Sequence, residues 1–355
     1  MKKFLAILMA ILMVLSMATV AMASEMPDPS ADPVPENPSP TYDDMKTVTV
    51  YKEYNAVGDT AVSPAETFSF SAVSFESASQ TGSGYTEEWA NSNVPTINSV
   101  SYAAGDAGKD DTTKKKAVTI TLPTNYPSVG IYNYSFTETD NGTAGVTYRS
   151  TPIKLVVTVI EQDGKKRVAA VHCEGENGTK SAVFENTYSA GSLKVTKEVT
   201  GLMGDKNKEF QFSVTITAPT GKNLESSFSF NKNGSTASDS SYNFASNTVT
   251  FTLKDGESFS IGNLPVGVTC VVSEAAEEGY ETKINGQTAT KTDDNKYKKE
   301  VTISTATEST VDYTNDKGGA PDTGVSLDTL PYVLVLALAG AGLVLMIARK
   351  RRVQD

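Results

Sequence analysis

The chain has 355 residues, 21% of them charged and 39% hydrophobic, with a formal net charge of −11. This is the composition of a folded soluble chain with room for two or three domains, and its acidity argues against a nucleic-acid partner, because phosphate binding needs a basic face. A single histidine, His172, and two cysteines, Cys173 and Cys270, exclude a two-histidine metal site, a four-cysteine zinc site and a disulfide-dense scaffold. Neither a metal nor a cofactor is expected.

Lys2 and Lys3 precede an apolar run from Phe4 to Val20, and Ala21-Met22-Ala23 supplies small residues at a cleavage point. Residues 1–23 read as a secretory signal peptide cut between Ala23 and Ser24. Residues 24–45 carry six prolines among acidic residues. They read as a disordered or polyproline-like arm.

From residue 46 the pattern turns to period two. The runs TVTVYKEY (47–54), KAVTITLP (116–123), KLVVTVIE (154–161), QFSVTIT (211–217), NTVTFTLK (247–254) and GVTCVVSE (267–274) are rich in β-branched and aromatic residues. Between such runs stand Asn141-Gly142, Asp163-Gly164, Asn177-Gly178, Asn233-Gly234, Asp255-Gly256 and Asn285-Gly286, pairs suited to hairpin turns with positive φ. No long helical periodicity interrupts them. The expectation is all-β: two antiparallel β-sandwiches, at 46–189 and 190–317, joined at Ser189-Ala190-Gly191-Ser192.

An internal repeat supports that division. Val48-Thr49-Val50-Tyr51-Lys52 is echoed by Leu193-Lys194-Val195-Thr196-Lys197. Tyr134-Ser135-Phe136-Thr137-Glu138 is echoed by Cys270-Val271-Val272-Ser273-Glu274, and Phe184-Glu185-Asn186 by Tyr313-Thr314-Asn315. Each half thus presents Lys, Glu and Asn in the same order. All six polar residues alternate in phase with apolar neighbours, so they point into the core. Lys194 is out of phase with Lys197 and should face solvent.

Burial drives a lysine toward its neutral, nucleophilic form and keeps a glutamate protonated. Beside an asparagine amide, such a pair can form a Lys–Asn isopeptide bond and release ammonia, with the acid polarising the amide and relaying the proton. A merely structural Lys–Glu ion pair is the bland alternative. Two triplets in the same chain order favour the bond.

Residues 318–355 close the chain. Ala320-Pro321-Asp322-Thr323-Gly324 is followed by an apolar run, 331–348, about 27 Å long as a helix and so long enough to span a bilayer. The basic residues Arg349-Lys350-Arg351-Arg352 come next and would stop transfer. This order resembles the cell-wall sorting signal of Gram-positive surface proteins, with Ala320 where leucine is usual. The resemblance implies sortase cleavage between Thr323 and Gly324, and contact with the membrane only before sorting.

Over about residues 46–324 the chain also resembles the sortase-assembled major (backbone) pilins of Gram-positive bacteria, of the streptococcal two-domain type. FTLKDGESFSIGNLPVGVTCVVSE (251–274) and GSLKVTKEVTG (191–201) carry most of the likeness, with IYNYSFTE (131–138) and VFENTY (183–188) adding to it. The resemblance implies tandem immunoglobulin-like (CnaB-like) sandwiches. Each would be closed by an autocatalytic bond: Lys52–Asn186 with Glu138, and Lys197–Asn315 with Glu274. It also implies an exposed acceptor lysine shortly before the last strand of the first domain, where Lys180 stands. The implied protein is no enzyme beyond those single-turnover reactions. Its partners would be a sortase, neighbouring pilin subunits in a covalent homopolymer, and minor pilins or peptidoglycan at the base. A wall-anchored minor pilin or adhesin that is not itself polymerised is the alternative reading.

Overall fold

The structure is a computed structural model that describes residues 44–108, 111–175 and 178–319, with Leu338, Ala339 and Arg349 beyond them. The signal peptide with Ala23 and Ser24, nearly all of the proline-rich arm, Thr323 and Gly324 lie outside the described residues. So does nearly all of the apolar span expected at 331–348. No helix among the described residues is long and apolar enough to cross a membrane.

The first half contains β1 (Thr47–Val57), β2 (Glu66–Phe68), β3 (Ser74–Ser79), β4 (Thr96–Ile97), β5 (Val100–Tyr102) and β6 (Lys115–Thr121). It continues with β7 (Gly130–Phe136), β8 (Val146–Thr147), β9 (Ile153–Gln162) and β10 (Lys165–Glu174). One sheet runs β11-β1-β6-β4, where β11 is Val183–Thr200, and a second runs β10-β9-β7-β3. Their facing residues alternate with outward ones, as in β7, where Tyr132, Tyr134 and Phe136 are buried. They form a core with Val50, Tyr54, Ile120, Leu155, Val157 and Phe184.

The second half contains β12 (Phe210–Thr217), β13 (Ser229–Lys232), β14 (Ser235–Thr236), β15 (Tyr242–Ala245), β16 (Thr248–Leu253) and β17 (Ser258–Pro265). After these come β18 (Thr269–Ala275), β19 (Glu281–Ile284), β20 (Gln287–Thr288), β21 (Lys296–Thr302) and β22 (Glu308–Asp316). Here β17, β11, β22 and β19 make the front sheet and β15-β16-β12-β18-β21 the back one. Leu193, Val195, Phe212, Val214, Phe259, Val272, Val311 and Tyr313 fill a separate core.

The joint expected at residues 189–192 lies in the middle of β11, a continuous strand of 18 residues that serves both sandwiches. Its inward-facing residues switch phase at the joint, from Phe184, Asn186, Tyr188 and Ala190 to Gly191, Leu193, Val195 and Lys197, and the ladder with β17 shifts register at Gly191/Leu193 while the strand runs on. The sheets are not purely antiparallel, because β1 and β22 each pair with β11 in parallel. Two short helices, α1 (Glu87–Ser92) and α2 (Asp111–Lys114), lie among the strands. Thr86 caps α1 by accepting a hydrogen bond from the Trp89 amide, and Glu87 and Glu88 occupy its first turn.

Asp163-Gly164, Asn233-Gly234 and Asn285-Gly286 have positive φ at both residues, which matches the right-handed twist of the strands they join. Asp255-Gly256 does not: only Gly256 is left-handed, and the Asp255 carboxylate accepts from the Val199 amide at 2.8 Å.

Contacts on both flanks of β11 lock the two sandwiches together. On one side Asn263, buried and at φ +59°, accepts from the Val62 amide at 2.9 Å and from the Tyr188 hydroxyl at 3.0 Å. Its amide group donates to the Val62 and Ser227 carbonyls at 2.9 and 2.8 Å. Gly58 lets the same loop close on the strand, for a Cβ there would lie 1.9 Å from the Ala190 carbonyl oxygen. On the other side the Asn223 amide donates to Gly142 at 2.7 Å and Lys222 pairs with Asp140 at 2.8 Å. The Asn141-Gly142 turn thus docks on the second half instead of closing a hairpin.

Asn263→Gly keeps the left-handed backbone but leaves buried polar groups of both halves without partners. It should cost about 2 kcal/mol in urea unfolding and expose the 58–63 loop to protease. An unchanged midpoint and cleavage pattern would show that Asn263 does not hold the joint.

Candidate functional site

The polar side chains of the two cores are placed by strand register. In β1, Lys52 lies on the inward face between Val50 and Tyr54, and Tyr54 pairs with Asn186 of β11. In the second half Lys197 lies between Val195 and Val199 of β11, and Val199 pairs with Asn315 of β22. Both asparagines therefore sit opposite the residue two beyond the lysine. In a parallel pair that offset brings the two side chains together on one face. The carboxyl groups come from the opposite sheets. Glu138 lies just past β7 and bridges to Phe70, and Glu274 belongs to β18.

At the first site the Lys52 Nζ is 2.6 Å from Asn186 Oδ1 and 2.6 Å from Glu138 Oε1. Asn186 Nδ2 donates to the same Glu138 oxygen at 3.0 Å, and the Arg149 backbone amide donates to Glu138 Oε2 at 2.8 Å. At the second site Lys197 Nζ and Asn315 Nδ2 lie 3.1 and 3.0 Å from Glu274 Oε1. The Lys197–Glu274 contact is a close ion pair outside hydrogen-bond geometry. Lys197 Nζ, Glu274 Oε2 and Asn315 Oδ1 are all buried without a hydrogen-bond partner.

Both lysines are almost fully sealed, at 1% exposed for Lys52 and 2% for Lys197. Their nitrogens stand over aromatic rings, Phe68 at 4.7 Å and Phe210 at 4.1 Å. Desolvation dominates the electrostatics. It pushes the Lys52 and Lys197 ammonium groups below the usual lysine range, against the opposing pull of Glu138 and Glu274. Burial likewise raises the Glu274 carboxyl, against Lys197. At the second site a neutral amine, a protonated acid and a carboxamide are thus the favoured forms. They are the forms needed for amine attack on an amide carbonyl, with the acid supplying the polarising hydrogen bond.

The structure brings the six residues together as two triads. The aromatic floors and the Arg149 amide were not picked out in the sequence. Phe68 and Phe210 are in phase with buried neighbours, but nothing in a single sequence says which lysine lies above which ring. Lys180 is exposed, and its backbone bridges to Glu174. Asn177 of the turn before it lies outside the described residues. Lys194 is half-buried on the strand face opposite Lys197. Cys173 and Cys270 are unpaired and buried, and burial pushes both thiols up to about 12. Lys114 and Lys116 pair with Glu53 at 3.3 Å and Asp106 at 3.1 Å.

Two sandwiches joined by a continuous strand, each with a sealed Lys–Glu–Asn triad between its first and last strands, define a class of tandem β-sandwich proteins with a buried amine, acid and amide in each core. Residues 36–189 match the family of the Spy0128-like isopeptide containing domain, and residues 191–317 match a domain of unknown function. The chain is similar to a pilin of Streptococcus pyogenes serotype M1, 28% identical over 312 residues that cover 85% of this chain and 90% of that one. It is also similar to the pilus tip adhesin Cpa of Streptococcus pyogenes, 33% identical over 136 residues, which are 38% of this chain but only 18% of the adhesin. The crystal structure of the major pilin from Streptococcus pyogenes shares the fold, with a TM-score of 0.50 at 24% identity over 77% of this chain and 99% of that one. Over most of its length the chain is thus similar to a streptococcal pilin, and it shares the fold of a streptococcal major pilin.

If each triad reacts, the purified mature region should be lighter than its sequence mass by one ammonia per site. Glu138→Ala and Glu274→Ala should each restore one. An intact mass equal to the sequence mass would remove the mechanism.

The first bond would close a loop between positions 134 apart, and by the chain-entropy argument used for disulfides that constraint is worth about 5 kcal/mol. Lys52→Ala should therefore melt well below the parent, and reductant should change neither midpoint. Equal melting temperatures would show that the bond is absent or irrelevant to stability.

Proposed function

We propose that this protein is a shaft subunit of a covalent cell-surface fibre, closed internally by Lys52–Asn186 and Lys197–Asn315 bonds and linked externally through Thr323 and Lys180. In each internal reaction the lysine amine attacks the asparagine Cγ. Glu138 or Glu274 protonates the departing nitrogen, and the product is an amide plus ammonia. The buried amine is then consumed, and with it the cost of keeping a titratable lysine in an apolar core.

For assembly, a sortase cysteine would attack the Thr323 carbonyl and release Gly324 with the membrane-directed tail. The Lys180 amine of the next subunit would resolve the thioacyl enzyme and restore the thiol. At the base, a minor pilin or the amine of a wall precursor would do the same and anchor the fibre. The observation that carries this reading is the path of β11. It begins at Val183, just after Lys180, and ends at Thr200, which pairs with Asp316 where the last strand leaves the fold. At about 3.3 Å per residue the two points lie roughly 60 Å apart. Donor and acceptor thus belong to opposite ends of the two-sandwich body, as head-to-tail growth requires.

Lys180→Arg keeps the charge and removes the primary amine. It should abolish the ladder of covalent multimers in immunoblots of wall extracts, while the intact mass still shows both internal bonds. A surviving ladder would overturn Lys180 as acceptor. A ladder that also survived Thr323→Ala would overturn sortase linkage altogether, and a single band from the unaltered protein would favour a wall-anchored monomer.

A further inference from the structure

Beside Lys180 the first sandwich is left open. β1 pairs with β6 along its whole front half, Thr47 with Thr121 through Val50 with Val118. On its other side, pairing with β11 starts only at Tyr51, opposite Val183, and the Tyr51 amide donates to the Ala182 carbonyl at 2.7 Å. Ladder groups alternate sides along a strand. Since Tyr51 addresses the β11 side, Thr49 and Thr47 do so too. Among the described residues no strand pairs with them there. β10, the edge strand of the opposite sheet, faces the same gap. Between the two edges lies a cleft of about 210 Å³ lined by Val48, Val50, Val171, Cys173, Lys180 and Ala182. Its floor is apolar, with Val50 and Cys173 buried, and Lys180 is exposed on its rim.

We infer that this seam receives the C-terminal tail of the neighbouring subunit, residues Ala320–Thr323, as an added strand that runs parallel to β1 and ends at Lys180. The inference rests on the proposed Thr323–Lys180 link. Four considerations carry it. The described fold ends at Gly319, so only a few residues separate it from Thr323, a reach of about 14 Å when extended. A copy stacked beyond the free end of the first sandwich would send that tail down past Thr47 toward Val50. The open stretch of β1 is as long as the tail, and its lower end is where β11 and Lys180 begin. The tail would therefore fill the place in the sheet that β11 leaves empty. An exposed strand edge takes an extended peptide through main-chain hydrogen bonds. Alternate residues make those bonds, so Ala320 and Asp322 can donate while Pro321, which has no N–H, faces away. The proline-rich arm of the same chain is a poorer strand, since its many prolines cannot donate. Docking would follow release from the sortase, and it would fix the direction of a joint otherwise held by one flexible side chain.

The test uses the isotopically labelled mature chain and a synthetic amide of Asp316–Thr323. Millimolar peptide should shift the amide resonances of Thr47, Thr49, Val171, Ser181 and Ala182 and slow hydrogen exchange at Thr47 and Thr49. Thr49→Pro deletes one edge donor without touching the β6 ladder, and it should weaken binding about tenfold. Its intact mass would report whether the fold still closes both internal bonds. Lys180→Arg should bind the peptide like the parent, which separates docking from the acceptor reading: the ladder tests the latter and the resonances the former. Peptide shifts elsewhere, or none, would overturn the inference even with Lys180 upheld as acceptor. So would Thr47 and Thr49 amides already protected in the peptide-free chain, since the seam would then be covered from within.

Discussion

The architecture turns on an ammonium group placed where it is costly. A lysine held in an apolar core must be neutralised, paired or consumed. In both sandwiches the same parallel register sets an asparagine beside it, and the facing sheet delivers a glutamate. That arrangement demands that the first and last strands of each half be neighbours running the same way, which a simple antiparallel meander would not supply. The shared strand β11 meets the demand twice, as last strand of one sandwich and first of the next. The continuous joint is a by-product of the same solution.

The two triads are not copies in detail. Glu138 has its second oxygen occupied by the Arg149 amide, whereas Glu274 Oε2 has no partner and its carboxyl is raised by burial. Both pockets gather lysine and asparagine on a single carboxyl oxygen, but only in the first does the lysine also donate to the asparagine oxygen.

Much of this was legible in the chain itself because a strand's period of two is unambiguous. Lys52, Glu138, Asn186, Lys197, Glu274 and Asn315 could be assigned to inward faces from their apolar neighbours alone. The repeat then suggested which residues belong together. What the sequence could not give was pairing direction, since parallel and antiparallel partners show the same alternation. It also hid the continuity of β11: Ser189-Ala190-Gly191-Ser192 looks like a linker by composition. In fact Gly191 is there because a Cβ would lie 2.6 Å from the Thr305 and Thr307 carbonyl oxygens. Asn263, which ties the halves together, looks like an ordinary strand residue until its left-handed backbone is seen.

The route of mechanical load through such a subunit follows from where β11 runs. In the proposed fibre a pull enters at Lys180, passes within a few residues onto β11, and travels along it past Asn186 to Lys197. There the cross-link to Asn315 hands it to the end of β22 and so to Thr323. Tension thus follows one extended strand and a short coda, already near the full length its backbone allows. The rest of both sandwiches, including the whole back sheet from β12 to β21, hangs beside the taut line rather than forming part of it. A fibre of these subunits would behave as a cord with beads attached, unable to lengthen by unravelling the beads.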